Sequence, residues 1–375
     1  MKKVLFGTSA LVAAGLLSGG AMAADPVSLG ISGFFGWGAG YVSEDDGAGR
    51  PGNNDRNHAF AQDTEVIFSG SSDLDNGTKV TVQIELEGDS VGDQIDENFI
   101  RFSNDSWGTI EMGGRDGPAQ KMLTLGPAVD FHHIIGTAAF SYINAGTNDT
   151  GGAIFVLGRL SDSYKVSYYT PRMGGFQIGV GYEPEPGLDG GNQTNALTPD
   201  TSTTAGSNSE FIEIGLNYVG AFGDASVRGG IMYAHGNQEG TAAVGPLLDD
   251  QTIVNVGAQV GFGSVTVGGA YQSGDVNHNA GAVRTGDDIA WRAAVSYSMG
   301  AWLMGAGYAK RSLDDETVAG GQDEATVWGL TAKRTLGPGI TGSIGLRVWS
   351  IDDDDNAPGA ENDATNIFVS TRVGF

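Results

Sequence analysis

Asp116, Asp130 and Asp149 fall within the longest stretch of chain without an alternating pattern, residues 115–158. Lys79, Arg101, Lys165, Arg228, Arg292, Lys333, Arg347 and Arg372 instead lie on the polar phase of segments that alternate polar and apolar residues. Fixed charges of opposite sign facing one another across a gap set up a transverse field. Such a field orders water, orients dipolar solutes and disfavours apolar molecules of equal size. Glu65, Glu85 and Glu213 are also available to pair with individual bases. Acid pairs and runs, the longest being Asp352, Asp353, Asp354 and Asp355, offer the oxygen ligands that Ca²⁺ or Mg²⁺ prefers, yet none has the spacing of a defined calcium loop. A structural Ca²⁺ at that run is the one cofactor the sequence offers; solvated acids are the plainer reading. His132-His133 lacks a third ligand at metal spacing. No Gly-x-Ser-x-Gly elbow is present, and the glycine cluster GVGYEPEPG follows a strand pattern and opens no helix, so no enzyme is expected.

These charges need elements to position them, and the chain supplies strands. Val80, Val82, Ile84 and Leu86 alternate with Lys79, Thr81, Gln83, Glu85 and Glu87, which puts one set on each face of a strand. Ile212, Ile214, Leu216 and Tyr218, and again Val254, Val256, Ala258 and Val260, repeat the pattern. Sixteen strands follow, at 27–43, 59–72, 78–88, 96–104, 107–114, 159–170, 175–184, 209–220, 224–236, 251–262, 264–274, 287–298, 301–312, 323–335, 340–352 and 363–375. Their connections alternate between seven tight turns, such as DLDNGT and AFGD, and eight long, mostly acidic loops. An even meander with this asymmetry is the pattern of an antiparallel transmembrane β-barrel, all-β, with both termini at the short-turn rim. A soluble sandwich would not turn apolar residues outward on every strand, and no blade repeat supports a propeller.

The amino terminus agrees with export. Lys2 and Lys3 precede the apolar run VLFGTSALVAAGLL and the small-residue site Ala21-Met22-Ala23, the pattern of a secretory signal peptide over residues 1–23. Residues 24–375 then form one barrel domain, and beyond Ala23 no apolar run approaches the roughly 20 residues of a spanning helix. Of 375 residues, 62 are Gly and none is Cys, and 45 acids stand against 20 bases. So acidic a chain is unsuited to phosphate binding, and a nucleic-acid partner is excluded.

The start VSLGISGFFGWGAGYVS, the rhythm of short turns and long loops, and the final strand NIFVSTRVGF, which ends on Phe375, together resemble the Gram-negative general porins, in style those of photosynthetic and related alpha-proteobacteria. The resemblance spans the mature chain. It implies a homotrimer of sixteen-stranded barrels in the outer membrane. Each would be a water-filled channel for small hydrophilic solutes, with its third outer loop, 115–158, folded into the lumen. It assigns the constriction to Asp116, Asp130 and Asp149 facing Arg101, Lys165, Arg292, Arg347 and Arg372. It also makes Phe375 the signal read by the outer-membrane insertion machinery, and names outer-membrane lipid and lipopolysaccharide as surroundings. The acid excess implies a weak preference for cations. A substrate-specific channel and an outer-membrane barrel enzyme are the alternative readings. Phe375 is expected to pair with the first strand near Val27 and close the barrel.

Overall fold

The computed structural model describes residues 26–44, 56–88, 94–129, 162–185, 207–239, 250–275, 287–315, 321–352 and 362–375. The proposed signal peptide, Asp130, Asp149, Asp353, Asp354, Asp355 and the His132-His133 pair lie outside them. Sixteen strands run β1 (Ser28–Glu44), β2 (His58–Asp73), β3 (Lys79–Glu87), β4 (Ile95–Asn104), β5 (Gly108–Gly114), β6 (Tyr164–Tyr169), β7 (Phe176–Glu183), β8 (Ser207–Phe222), β9 (Ala225–Glu239), β10 (Gln251–Phe262), β11 (Val265–Asp275), β12 (Asp287–Met299), β13 (Trp302–Asp315), β14 (Gly321–Gly337), β15 (Ile340–Asp352) and β16 (Asn362–Gly374). Each pairs antiparallel with its sequence neighbours, and β1 pairs with β16, so the sheet closes as a barrel. Closure removes the open sheet edges that an isolated meander would expose. Among the described residues, one short helix, α1 (Pro118–Lys121), stands in the connection from β5 to β6.

The expected strand boundaries agree with these to within a few residues, except that β6 begins at Tyr164 rather than 159. Tight turns set the short-turn rim. At Phe222-Gly223-Asp224-Ala225 and Phe262-Gly263-Ser264-Val265 the first central residue is a glycine, with φ of 59° and 57°. That is the requirement of a two-residue type II′ hairpin, whose twist matches the strands it joins.

The closing register differs from the expected one. Phe375 exchanges two 3.0 Å backbone hydrogen bonds with Gly33, not with the region of Val27, and Ser28–Ser32 run past the end of β16 while still pairing with β2. A barrel closes with a stagger because its strands tilt, so the two terminal strands need not begin level.

Alternation gives the barrel two faces. Ile231, Val256, Val267 and Ile344 point outward and remain 45–53% exposed. Repeated round the barrel, such residues make an apolar belt far larger than the patches water-soluble monomers tolerate. Aromatic rings border the belt. Trp291, Tyr308 and Trp328 pack in a row across β12 to β14, with centroids 4.9 and 4.4 Å apart, toward the long-loop rim. Phe176, Tyr218 and Phe222 do the same near the short-turn rim, at 4.8 and 5.7 Å. Amphipathic rings favour the two membrane interfaces.

Among the described residues two strand bases break the inward rule, Lys310 in the long-loop half of β13 and Arg334 three residues from the end of β14. Lys310 faces outward toward the long-loop rim and pairs with Glu324 at 2.5 Å. Arg334 lies 5.3 Å from the Trp302 ring by the short turns. Long side chains at these heights keep their charge in the headgroup region.

Candidate functional site: the lumen and its constriction loop

The lumen-facing residues are the other half of each alternation. Lys165, Arg292, Arg311 and Arg347 are buried on this face, and Arg101 and Arg372 share it by register. Lys79, Arg228 and Lys333 share it near the short turns.

The β5–β6 connection leaves the wall at Arg115 and turns back along it. A cluster of charges holds its root. Lys165 Nζ lies 3.0 Å from Glu183 and 3.8 Å from Glu213, with all three side chains almost completely buried. Glu213 also accepts the Ala119 backbone N–H at 2.8 Å, so a carboxylate meets the free N–H groups at the start of α1. Glu111 pairs with Arg101 at 2.6 Å and with Lys121. Arg115 lies 3.6 Å from Glu97 and 3.9 Å over the Phe99 ring. The Asp116 backbone N–H donates to Glu97 at 3.3 Å.

Asp116 therefore belongs to the root, where its carboxylate lies within 4.8 Å of those of Glu97 and Asp162. Burial, reinforced by Glu97, pushes the Asp116 carboxyl up to about 6, against the pull of Lys165 and Lys121. Asp162 is raised as well, by burial first and then by the neighbouring acids. Burial lowers Lys121 to about 8, although Glu111 opposes the shift.

From the root the chain runs round the inner wall. Pro118 and Met122 pack over Gly179, Gly181 and Gly215; the Met122 carbonyl lies over Gly230 and the Thr124 carbonyl over Gly257. Gly126 passes against Gly268, and Val129 ends in an apolar bed with Ala294, Ala309, Val327, Trp349 and Ile351. Ala119, Met122 and Val129 are at most 2% exposed, so this part of the loop is fixed to the wall rather than suspended in the channel.

Two further charged arcs remain. A β-bulge on β4, between its pairings of Asn98 with Ile84 and Ile95 with Leu86, lets the consecutive Asp96 and Glu97 both enter the lumen. Asp96 there joins Glu65 and Glu87, their carboxylate oxygens within 4.8 Å of one another, and Glu85 lies on the same face. Around the circumference, β12 to β16 carry Arg292, Arg311, Arg347 and Arg372. Arg311 holds Asp288 with two bonds of 2.9 and 2.7 Å, Arg347 stacks 4.7 Å over Phe368, and Arg372 stacks 3.7 Å over Phe34.

The residues named from the sequence are thus divided between two places. Asp116, Arg101 and Lys165 meet at the loop root; Arg292, Arg347 and Arg372 line the arginine arc. Asp352 stands at the end of β15, and Phe375 is 64% exposed on the short-turn rim. Glu97, Glu111, Glu183, Arg115, Lys121 and Arg311 were not singled out in the sequence. For Glu111, Glu183 and Arg311 the signal was parity, the lumen phase of their strands; Glu97 stands at a bulge and Arg115 and Lys121 on the loop, where strand parity gives no signal.

A closed barrel with an apolar outer belt, aromatic girdles and a charged lumen is a transmembrane channel of the β-barrel class. Residues 7–354 match the family described as Gram-negative porin, and the chain belongs to that family. It forms an outer-membrane porin channel.

Solved structures agree on the fold. An anion-selective porin from Comamonas acidovorans is 17% identical over 93% of this chain and all of its own, with a TM-score of 0.64. OmpT of Vibrio cholerae in its trimer form is 13% identical over 94% of this chain and all of its own, at 0.62. A mutant porin of Rh. blastica is 17% identical over 93% and 100%, at 0.51. No curated protein matches the sequence significantly.

Proposed function

We propose that this porin is a general diffusion channel for ions and small hydrophilic solutes, weakly cation-preferring, narrowed by the β5–β6 loop. One observation carries the reading: Glu65, Glu85, Glu87 and Asp96 stand on the lumen side of β2 to β4, while four arginines, Arg292, Arg311 and Arg347 of them buried, stand on the lumen side of β12 to β16, so fixed charges of opposite sign lie on different sides of the barrel interior. Such a field favours dipolar, hydrated solutes. The overall excess of 45 acids over 20 bases supports cation enrichment at the mouth, an effect that salt screens. Passive diffusion calls for no catalytic group and no cofactor.

A homotrimer is part of the proposal. β5, β6 and β7 have only 7, 6 and 8 residues, short of the roughly 9–11 that a tilted strand needs to cross the hydrocarbon. A second copy of the chain would cover this low part of the wall. Export through a signal peptide at 1–23, contact with lipopolysaccharide, and recognition of Phe375 by the insertion machinery complete the proposal.

The test is conductance in a planar bilayer, with reversal potentials in a low-salt KCl gradient and liposome swelling across sugars of increasing size. Ohmic, non-saturating currents with modest cation preference are expected. Saturable block by a single solute would make it a substrate-specific channel instead, and anion preference at low salt would overturn the selectivity.

A further inference from the structure

We infer that the bore of the channel is set by missing side chains on the wall behind the loop: Gly179, Gly215, Gly230 and Gly257 form a recessed seat for residues 118–124. The inference rests on the loop being the constriction, and it names the residues that fix how far the loop intrudes. The four glycines stand on consecutive strands, β7 to β10, and register links them. Gly179 pairs directly with Gly215, Gly230 pairs directly with Gly257, and Gly215 opposes Met232, two residues from Gly230.

All four lie on the lumen face, and the loop occupies the space a side chain would take. A Cβ at Gly215 would come within 2.7 Å of the Met122 sulfur and 3.0 Å of the Pro118 carbonyl oxygen. At Gly230 and Gly257 it would overlap the backbone carbonyls of Met122 and Thr124. None of the four has a positive φ, so the reason for glycine at these positions is room and not backbone conformation.

Backbone cannot swing aside as a flexible side chain can. A methyl at Gly257 must therefore displace the loop by about an ångström or more, the depth of the overlap with a normal contact distance. The wall lies behind the loop and the water column in front, so the displacement is into the channel. The loop is also tied at both ends of this stretch, by Glu213 to Ala119 at the root and by Val129 in its apolar bed. It is expected to bow inward rather than leave.

The experiment compares Gly257→Ala and Gly230→Ala with Gly229→Ala. Gly229 faces outward beside Gly230, and a Cβ there meets nothing closer than 3.5 Å. In trimers of normal yield, single-channel conductance should fall to about half or less in the two seat variants, with a lower sugar cut-off in liposome swelling, and stay native in Gly229→Ala.

A second readout keeps the inference testable if a seat variant assembles poorly. The chain has no cysteine, so Thr124→Cys is a unique label site. Thr124 is 9% exposed, and a small charged thiol reagent should modify it at least ten times faster when Gly230→Ala or Gly257→Ala is added. Native conductance and unchanged labelling in both seat variants would overturn the inference, as would a rise in conductance. The native protein's own conductance tests the porin reading separately, so failure of one is distinguishable from failure of the other.

Discussion

Replacing Lys165 by Met removes one charge while keeping most of the side chain's volume, and its effect should be felt at the loop root. In the native protein the ammonium lies 3.0 Å from Glu183 and 3.8 Å from Glu213, and both carboxylates are fully buried. Among the described residues no other base lies within 4 Å of either. Removing one member of a buried ion pair leaves uncompensated charge and costs about 3–5 kcal/mol. Glu213 also receives the Ala119 N–H, so the disturbance passes directly to α1.

If that cost falls on docking of residues 117–124, the undocked population rises by roughly 10²- to 5 × 10³-fold, at about 1.4 kcal/mol per tenfold. The assay is thiol modification of Thr124→Cys in the native and Lys165→Met backgrounds, with single-channel noise recorded in parallel. Faster labelling and a flickering conductance are expected. Adding Glu213→Gln to Lys165→Met should restore part of the protection, because one of the two stranded charges is then gone. A labelling rate within threefold of native, with no such rescue, would refute the account of the root as an ionic clamp.

Neutralising Glu65, Glu87 and Asp96 together as Gln, Gln and Asn should reduce cation preference at low salt, read as a smaller reversal potential, with the number of assembled channels unchanged. The root should respond to pH through Asp116. Its carboxyl is raised in the folded protein from an ordinary 3.8 to about 6. The folded root therefore holds the proton more tightly than an undocked one. That stabilisation is complete below about pH 4 and is lost as pH rises through 6, worth about 3 kcal/mol over the window. Current noise should accordingly grow between pH 4.5 and 7, and Asp116→Asn should remove the Asp116 part of the profile, leaving the part that Asp162, raised by the same burial, contributes. Deleting Phe375 should lower the yield of heat-resistant trimers on gels far more than it changes the conductance of those that form; it removes the paired 3.0 Å bonds with Gly33 that complete the closure.

Much of the fold was legible in the order of residues because a barrel wall between lipid and water must alternate, and alternation is a local property. Val80 to Leu86 declared their face without reference to any other strand, and the length of each connection fixed which rim it served. Strand-borne bases could be placed in the lumen for the same reason, with two exceptions: Lys310, which pairs with Glu324, and Arg334, which lies over Trp302 by a short turn. Only the tertiary structure decided which charges meet. Lys165 finds Glu183 and Glu213 because β6, β7 and β8 are neighbours in a register set by turns and stagger, and a stagger of several residues is invisible within any one strand. The β4 bulge that turns Asp96 and Glu97 to the same side, and the offset that sets Phe375 against Gly33, arise in the same way. The glycine seat shows the limit most plainly. In the sequence Gly179, Gly215, Gly230 and Gly257 are four glycines among 62, and only the closed barrel places them side by side beneath one stretch of loop. Local chemistry selects strand and face, but contact between distant residues depends on how sixteen strands share one closed ring.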